Sequence, residues 1–112
     1  MSSTTIEAIE RSIQESKSFV ALGDSLERLT NNKDFKKIVI EGYFEKEAVR
    51  LVHLKADPNM QSAESQKSII MQMDAIGAFK QYLGLILTQA GMAAKQIESD
   101  EAYRDELLEE GN

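Results

Sequence analysis

The 112-residue chain has no cysteine, no tryptophan, one proline and one histidine. Without cysteine there is no disulfide, no thiolate metal site and no cysteine nucleophile, and nothing marks a redox compartment. Positive charge is also in the minority. There are 13 Lys+Arg against 19 Asp+Glu, a net charge of -6. That excludes binding to DNA or RNA driven mainly by bulk positive charge. No apolar run approaches the ~18 residues that a membrane helix needs. The opening Met1-Ser2-Ser3-Thr4-Thr5-Ile6-Glu7 lacks the basic and apolar regions of a secretory signal. What is present is 42% hydrophobic and 29% charged residues, enough for one domain with a core. The expectation is a soluble helical protein, cytosolic or assembled.

One break divides the chain, at Asp57-Pro58-Asn59. Proline lacks an amide donor and pushes the preceding residue out of helical geometry. The acidity is concentrated after this point. Residues 1–57 carry a net of -1 and residues 58–112 a net of -5. Before the break, two helices are predicted, near 5–30 and 33–55. Thr4 and Glu7 have the spacing of a capping box. Ile6, Ile9 and Ile13 then recur at helical spacing. Phe19, Leu22, Leu26 and Leu29 resume the pattern after a one-residue slip, and a bend is expected between Ser16 and Gly23. Asn31-Asn32 should end the helix in left-handed geometry. Asn32 should cap the next one, with Asp34 in its first turn. Ile38-Val39-Ile40 has strand propensity, but its helical neighbours favour a helix.

The third segment carries the strongest pattern. Ile69, Ile76, Leu83, Ala90 and Ile97 fall seven apart. Met73, Leu87 and Ala94 lie four further on, with Lys80 as the exception, and Phe79, Ile86 and Ala93 widen the stripe. This predicts a long helix over 62–98 packed in coiled-coil fashion. The fold class is therefore all-α, an elongated helical hairpin or three-helix bundle with a long heptad-patterned third helix. The whole chain reads as a single helical domain: a first helical half over 4–57, the long helix over 62–98, and an acidic tail over 99–112. The expected core is Ile9, Ile13, Leu22, Leu26, Leu29, Phe35, Ile38, Leu51, Ile69, Ile76, Phe79, Leu83 and Ile86. Gly77, Gly84 and Gly91 also repeat every seven residues. Each costs ~1 kcal/mol against alanine inside a helix. The expectation is that they let another helix come close, together with Ile76, Leu83 and Ala90. That helix is either in the same chain or in another subunit. Beyond Glu98, Tyr103, Leu107 and Leu108 give the acidic tail a narrow apolar side, suited to a short final helix or a fraying end.

Catalytic patterns are weak. His53 has no nucleophile-elbow motif to accompany it, and His53 with Asp57 supplies too few ligands for a metal. Asp57, Asn59 and Gln61 match the start of a calcium loop, but Ser62 and Ser68 stand where glycine and glutamate belong. Neither a dinucleotide fingerprint nor a phosphate-binding loop is present. No cofactor and no small-molecule substrate are expected. One basic cluster, Arg28, Lys33, Lys36 and Lys37, is a candidate partner-binding site, with a solvated helix junction as the plainer alternative.

The runs Leu26-Glu27-Arg28-Leu29, Asp34-Phe35-Lys36-Lys37, Gly42-Tyr43-Phe44 and Glu47-Ala48-Val49-Arg50-Leu51-Val52 resemble small helical proteins encoded by tailed bacteriophages. Ala56-Asp57-Pro58-Asn59-Met60-Gln61 and Asp74-Ala75-Ile76-Gly77 are similar to the same group. The likeness covers roughly residues 20 to 98 and its motifs are structural. It implies a non-enzymatic structural or assembly protein of a phage particle. Such a protein would act by helix–helix association with itself or other phage proteins, in the host cytoplasm or the virion. The alternative is a small acidic phage regulator that binds and inhibits a host protein. Neither reading calls for a membrane or nucleic acid.

Overall fold

A computed structural model describes residues 3–111. Among them there is no strand. Helix α1 is Ser3–Thr30. A second helical run follows, made of α2 (Lys33–Phe35), a π-helical segment π1 (Lys36–Glu47) and α3 (Ala48–Ala56). A single 3-10 turn, Pro58–Met60, leads to α4, Ala63–Glu110. The all-α class with a long third helix is what the structure shows.

The ends of these elements follow from local chemistry. The Asn32 side chain accepts from the amides of Asp34 and Phe35 at 3.0 and 2.9 Å, so it caps the second run as expected. The end of α1 differs from expectation. No non-glycine residue among those described has positive φ. Asn32 is instead extended, at φ -69 and ψ 129. The proline break also holds. The Asp57 carboxylate accepts from the Asn59 amide at 2.8 Å, closing the turn around Pro58. Ser62 Oγ accepts from the Ser65 amide at 3.1 Å and caps α4. Gln66 Nε2 donates to the carbonyls of Lys55 and Met60 at 3.0 and 2.9 Å, satisfying groups that a helix end leaves open.

Two further expectations are corrected. Thr4 lies inside α1, which already includes Ser3, so it is not the cap. The acidic tail is neither separate nor frayed up to Glu110, because α4 runs on through it.

Contacts group the chain into two units. The terminal unit comprises Met1–Leu26 and Leu85–Asn112, and the central unit Glu27–Gly84. In the terminal unit, α1 and α4 run antiparallel. Gly23 lies against Ala90, Ser12 bonds Asp100, and Glu10 approaches Arg104, so the facing number rises on α4 as it falls along α1. Ile9, Ile13 and Leu107 form the buried cluster. Ser16, Gly23, Leu26, Ile86 and Ala93 are also buried in this unit. Burial on this part of α4 keeps a four–three spacing through 86, 90, 93, 97, 100, 104 and 107. Ala90 and Ile97 keep the expected heptad line, with Ile86 and Ala93 of the widening line beside them, whereas Leu87 and Ala94, expected four residues after the heptad positions, are exposed.

In the central unit, Leu51, Ile69 and Ile76 form the core, with Tyr43, Phe44, Ala48, Leu54, Met60 and Met73 packed on it. Tyr43, Phe44 and Phe79 make an aromatic trio with ring centroids 5.6 to 6.3 Å apart, in the favourable range for tilted and edge contacts. The π winding explains one misplaced residue. With i→i+5 bonding each turn takes in more residues than an α turn. The partly buried positions run 35, 39–40, 42–44 and 47–48. Ile38, placed in the core on an α-helical period, is 68% exposed.

Of the expected core, Ile9, Ile13, Leu26, Leu51, Ile69, Ile76 and Ile86 are buried, and Phe35 and Leu83 are half-buried. Leu22, Leu29, Ile38 and Phe79 are exposed. Leu22 and Leu29 stand one step off the seam, which keeps to 9, 13, 16, 20, 23 and 26.

Two stability outcomes follow. Leu107→Ala removes the α4 side chain packed on Ile9 and Ile13 and should cost about 2–5 kcal/mol. Chemical denaturation checks this, and no loss would mean the tail is not held. A Cβ built on Gly23 would sit 2.5 Å from Ala90 Cβ. Gly23→Ala should therefore destabilise by about 1–3 kcal/mol. Gly77→Ala, whose Cβ meets nothing within 4 Å, should stabilise by about 0.4–1 kcal/mol. Thermal melts of the two variants should move in opposite directions.

Candidate association surface

The close approach expected on α4 exists, but at another glycine. No heavy atom lies within 4 Å of a Cβ built on Gly77, Gly84 or Gly91. The within-chain version of the glycine contact is therefore overturned. The glycine that admits a helix is Gly23, and its neighbour Ala90 was among the expected contact residues. Ile76 is buried with Leu51 and Ile69, and Leu83 is half-buried.

A signal for Gly23 is present in the sequence. Ile9, Ser16, Gly23 and Thr30 fall seven apart on α1 and are all buried or half-buried. Polar anchoring reinforces this seam. Ser12 Oγ donates to Asp100 Oδ2 at 2.7 Å, and Gln96 Nε2 donates to Asp100 Oδ1 at 2.9 Å. Both carboxylate oxygens of Asp100 thus have a donor. Arg104 stands 3.9 Å from Glu10 and 3.6 Å from Asp105.

The basic residues Arg28, Lys33, Lys36 and Lys37 are all exposed, on either side of the Asn31–Asn32 turn. Asp34 lies among them, also exposed. His53 is exposed on α3. Among the described residues no group of three His, Cys, Asp or Glu is placed to hold a metal ion. In the central unit a cavity of about 150 Å³ lies among Tyr43, Glu47, Leu51, Gln72, Ala75 and Ile76. Among the described residues no helix is long and apolar enough to cross a membrane.

Among the described residues nine hydrophobic side chains are buried, while fifteen large ones are exposed. In the terminal unit the exposed ones are Phe19 and Leu22 on α1, and Leu85, Leu87, Met92, Tyr103 and Leu108 on α4. Large exposed apolar surfaces mark contacts with partners. Comparison with protein-family models, curated proteins and solved structures finds no match to this chain.

One charge pair has a clear pH consequence. Arg50 Nη2 donates to Glu47 Oε2 at 3.2 Å, and Arg50 Nε donates to Glu47 Oε1. The hydrogen bonds from Arg50 hold the Glu47 carboxyl below its ordinary value of 4.5, and its charge adds to the effect. A carboxyl lowered in the folded state stabilises above its unfolded pKa and loses that contribution as pH falls through the folded value. Glu47→Gln should therefore lower the melting temperature slightly at pH 7. The gap from wild type should close as pH falls below 4.5. A gap that persists in acid would contradict the pairing.

Proposed function

We propose that this chain is a non-enzymatic helical assembly protein of a tailed-phage particle, acting through helix–helix association. The observation that carries this reading is the excess of exposed over buried large apolar side chains, arranged along helix faces. A helix hides one stripe, and a second apolar line beside it needs another surface to cover it. In the terminal unit the shared seam uses small residues, Ser16, Gly23, Ala90 and Ala93, which leaves Phe19, Leu22, Leu85 and Met92 outside it. The sequence resemblance to small phage-encoded helical proteins supplies the setting.

The regulator reading draws on a different feature. Glu98, Glu101, Asp105, Glu106, Glu109 and Glu110 are exposed on one continuous helix, an ordered acidic surface. Such a surface suits a basic site on a host protein. Mass spectrometry of purified particles from the producing host separates the two. The assembly reading expects this chain among the particle or pre-particle components in fixed copy number. Recovery only in a complex with a host protein would overturn it in favour of the regulator.

A further inference from the structure

We infer that two copies of this chain pair through one side of the terminal unit's helical hairpin. The product is a four-helix bundle in which this part of α1 in each copy lies against this part of α4 in the other. The inference rests on the assembly reading and names the surface and its partner. The hairpin seam runs through 9, 13, 16, 20, 23 and 26 on α1, and through 86, 90, 93, 97, 100, 104 and 107 on α4. Phe19, Leu22, Leu85, Met92 and Tyr103 each stand one position before a seam residue, and all five are exposed. In an antiparallel pair of right-handed helices, the positions before the seam fall on the same side of both. The hairpin therefore has one apolar side. The other side, one position after the seam, carries Glu10, Lys17, Asp24, Glu98, Glu101 and Asp105, all exposed. Two helices alone supply no second layer to cover an apolar side.

The charges bordering that side select the occupant. Among the positions before the seam only Glu15 and Glu106 are charged. Arg11, one turn before Glu15, and Lys95, one turn after Met92, border the same side. A two-fold axis parallel to the helices repeats between copies the register seen inside the hairpin, Gly23 beside Ala90 and Ser12 beside Asp100. Phe19 and Leu22 then come level with Gln96 and Met92 of the second copy. Tyr103 comes level with the small Ala8 and Ser12 of the second copy. Glu15 lies within a turn of Lys95 of the second copy, and Arg11 about a turn from Glu106 of the second copy. Each contact occurs twice, as a two-fold requires. The acidic sides of both hairpins stay in water. An axis at right angles to the helices, centred on Phe19, sets α1 on α1 instead. Lys95 then comes beside Lys95 of the second copy, and Glu15 beside Leu22 of the second copy. The exposed ion pairs contribute direction more than affinity, and the apolar side chains supply the packing.

The chain has no cysteine, so disulfide crosslinks report introduced positions alone. Leu22→Cys and Met92→Cys chains, one carrying a mass tag, are mixed, oxidised and read by intact mass. The expected main product joins position 22 of one chain to position 92 of the other. A dominant 22–22 or 92–92 product overturns the arrangement. In sedimentation of the intact chain, Met92→Glu should abolish the dimer, while Leu87→Glu, on the other side of α4, should leave it intact. Any other outcome overturns the choice of side. Circular dichroism verifies that each variant is folded, and Leu22→Glu replaces Met92→Glu if the latter loses helicity. Glu15→Lys should weaken self-association about tenfold, and adding Lys95→Glu should restore it. Failure of the double variant to recover overturns the pairing. A wild-type chain that stays monomeric at about 100 µM overturns the proposal outright. Particle composition decides the assembly reading separately.

Discussion

Between Gly23 and Ala90, α1 and α4 approach so closely that one added methyl group would collide. Helices held this near can share only a narrow seam. Its middle is made of small residues, Ser16, Gly23, Ala90 and Ala93, and its far end of larger ones, Ile9, Ile13 and Leu107. Close packing of this kind gains dispersion energy along the backbone at the expense of side-chain burial. Apolar residues one step to either side stay in water, as Leu22 and Met92 do. The same constraint that closes the terminal unit therefore leaves it with uncovered apolar surface.

The central unit solves its packing with large side chains. Leu51 and Ile69 are its most deeply buried residues, and the Tyr43, Phe44 and Phe79 rings fill the space beside them. The π winding of Lys36–Glu47 sets which residues reach this core. It brings Tyr43 and Phe44 to α4 and turns Ile38 to solvent. A long π segment is rare, and short ones occur often at functional positions. Here its visible consequence is to aim two adjacent aromatic residues at one helix.

Much of this was legible in the sequence. The seven-residue spacing from Ile69 to Ile97 announced the long helix, and Asn32, Pro58 and Ser62 marked the joints. Three features were not legible, for identifiable reasons. The π segment has no distinct periodic signature over so few turns, so an α period was imposed on Ile38. Leu22 and Leu29 have the spacing of a core stripe, and only the position of Gly23 decides which of two adjacent stripes is buried. The glycines of α4 share one period with its apolar stripe, which made contact inside the chain look natural. Nothing in a single helix's pattern says which side its own chain will cover.

The central claim is that α1 and α4 meet backbone to backbone at Gly23 and Ala90. A methyl-exchange cycle tests it most directly, by comparing Gly23→Ala, Ala90→Gly and the double variant by chemical denaturation. If the contact is as described, moving the methyl from α4 to α1 relieves the collision. The double variant should then recover most of the loss caused by Gly23→Ala, with a coupling energy of about 1 kcal/mol or more. Losses that simply add would contradict the close approach.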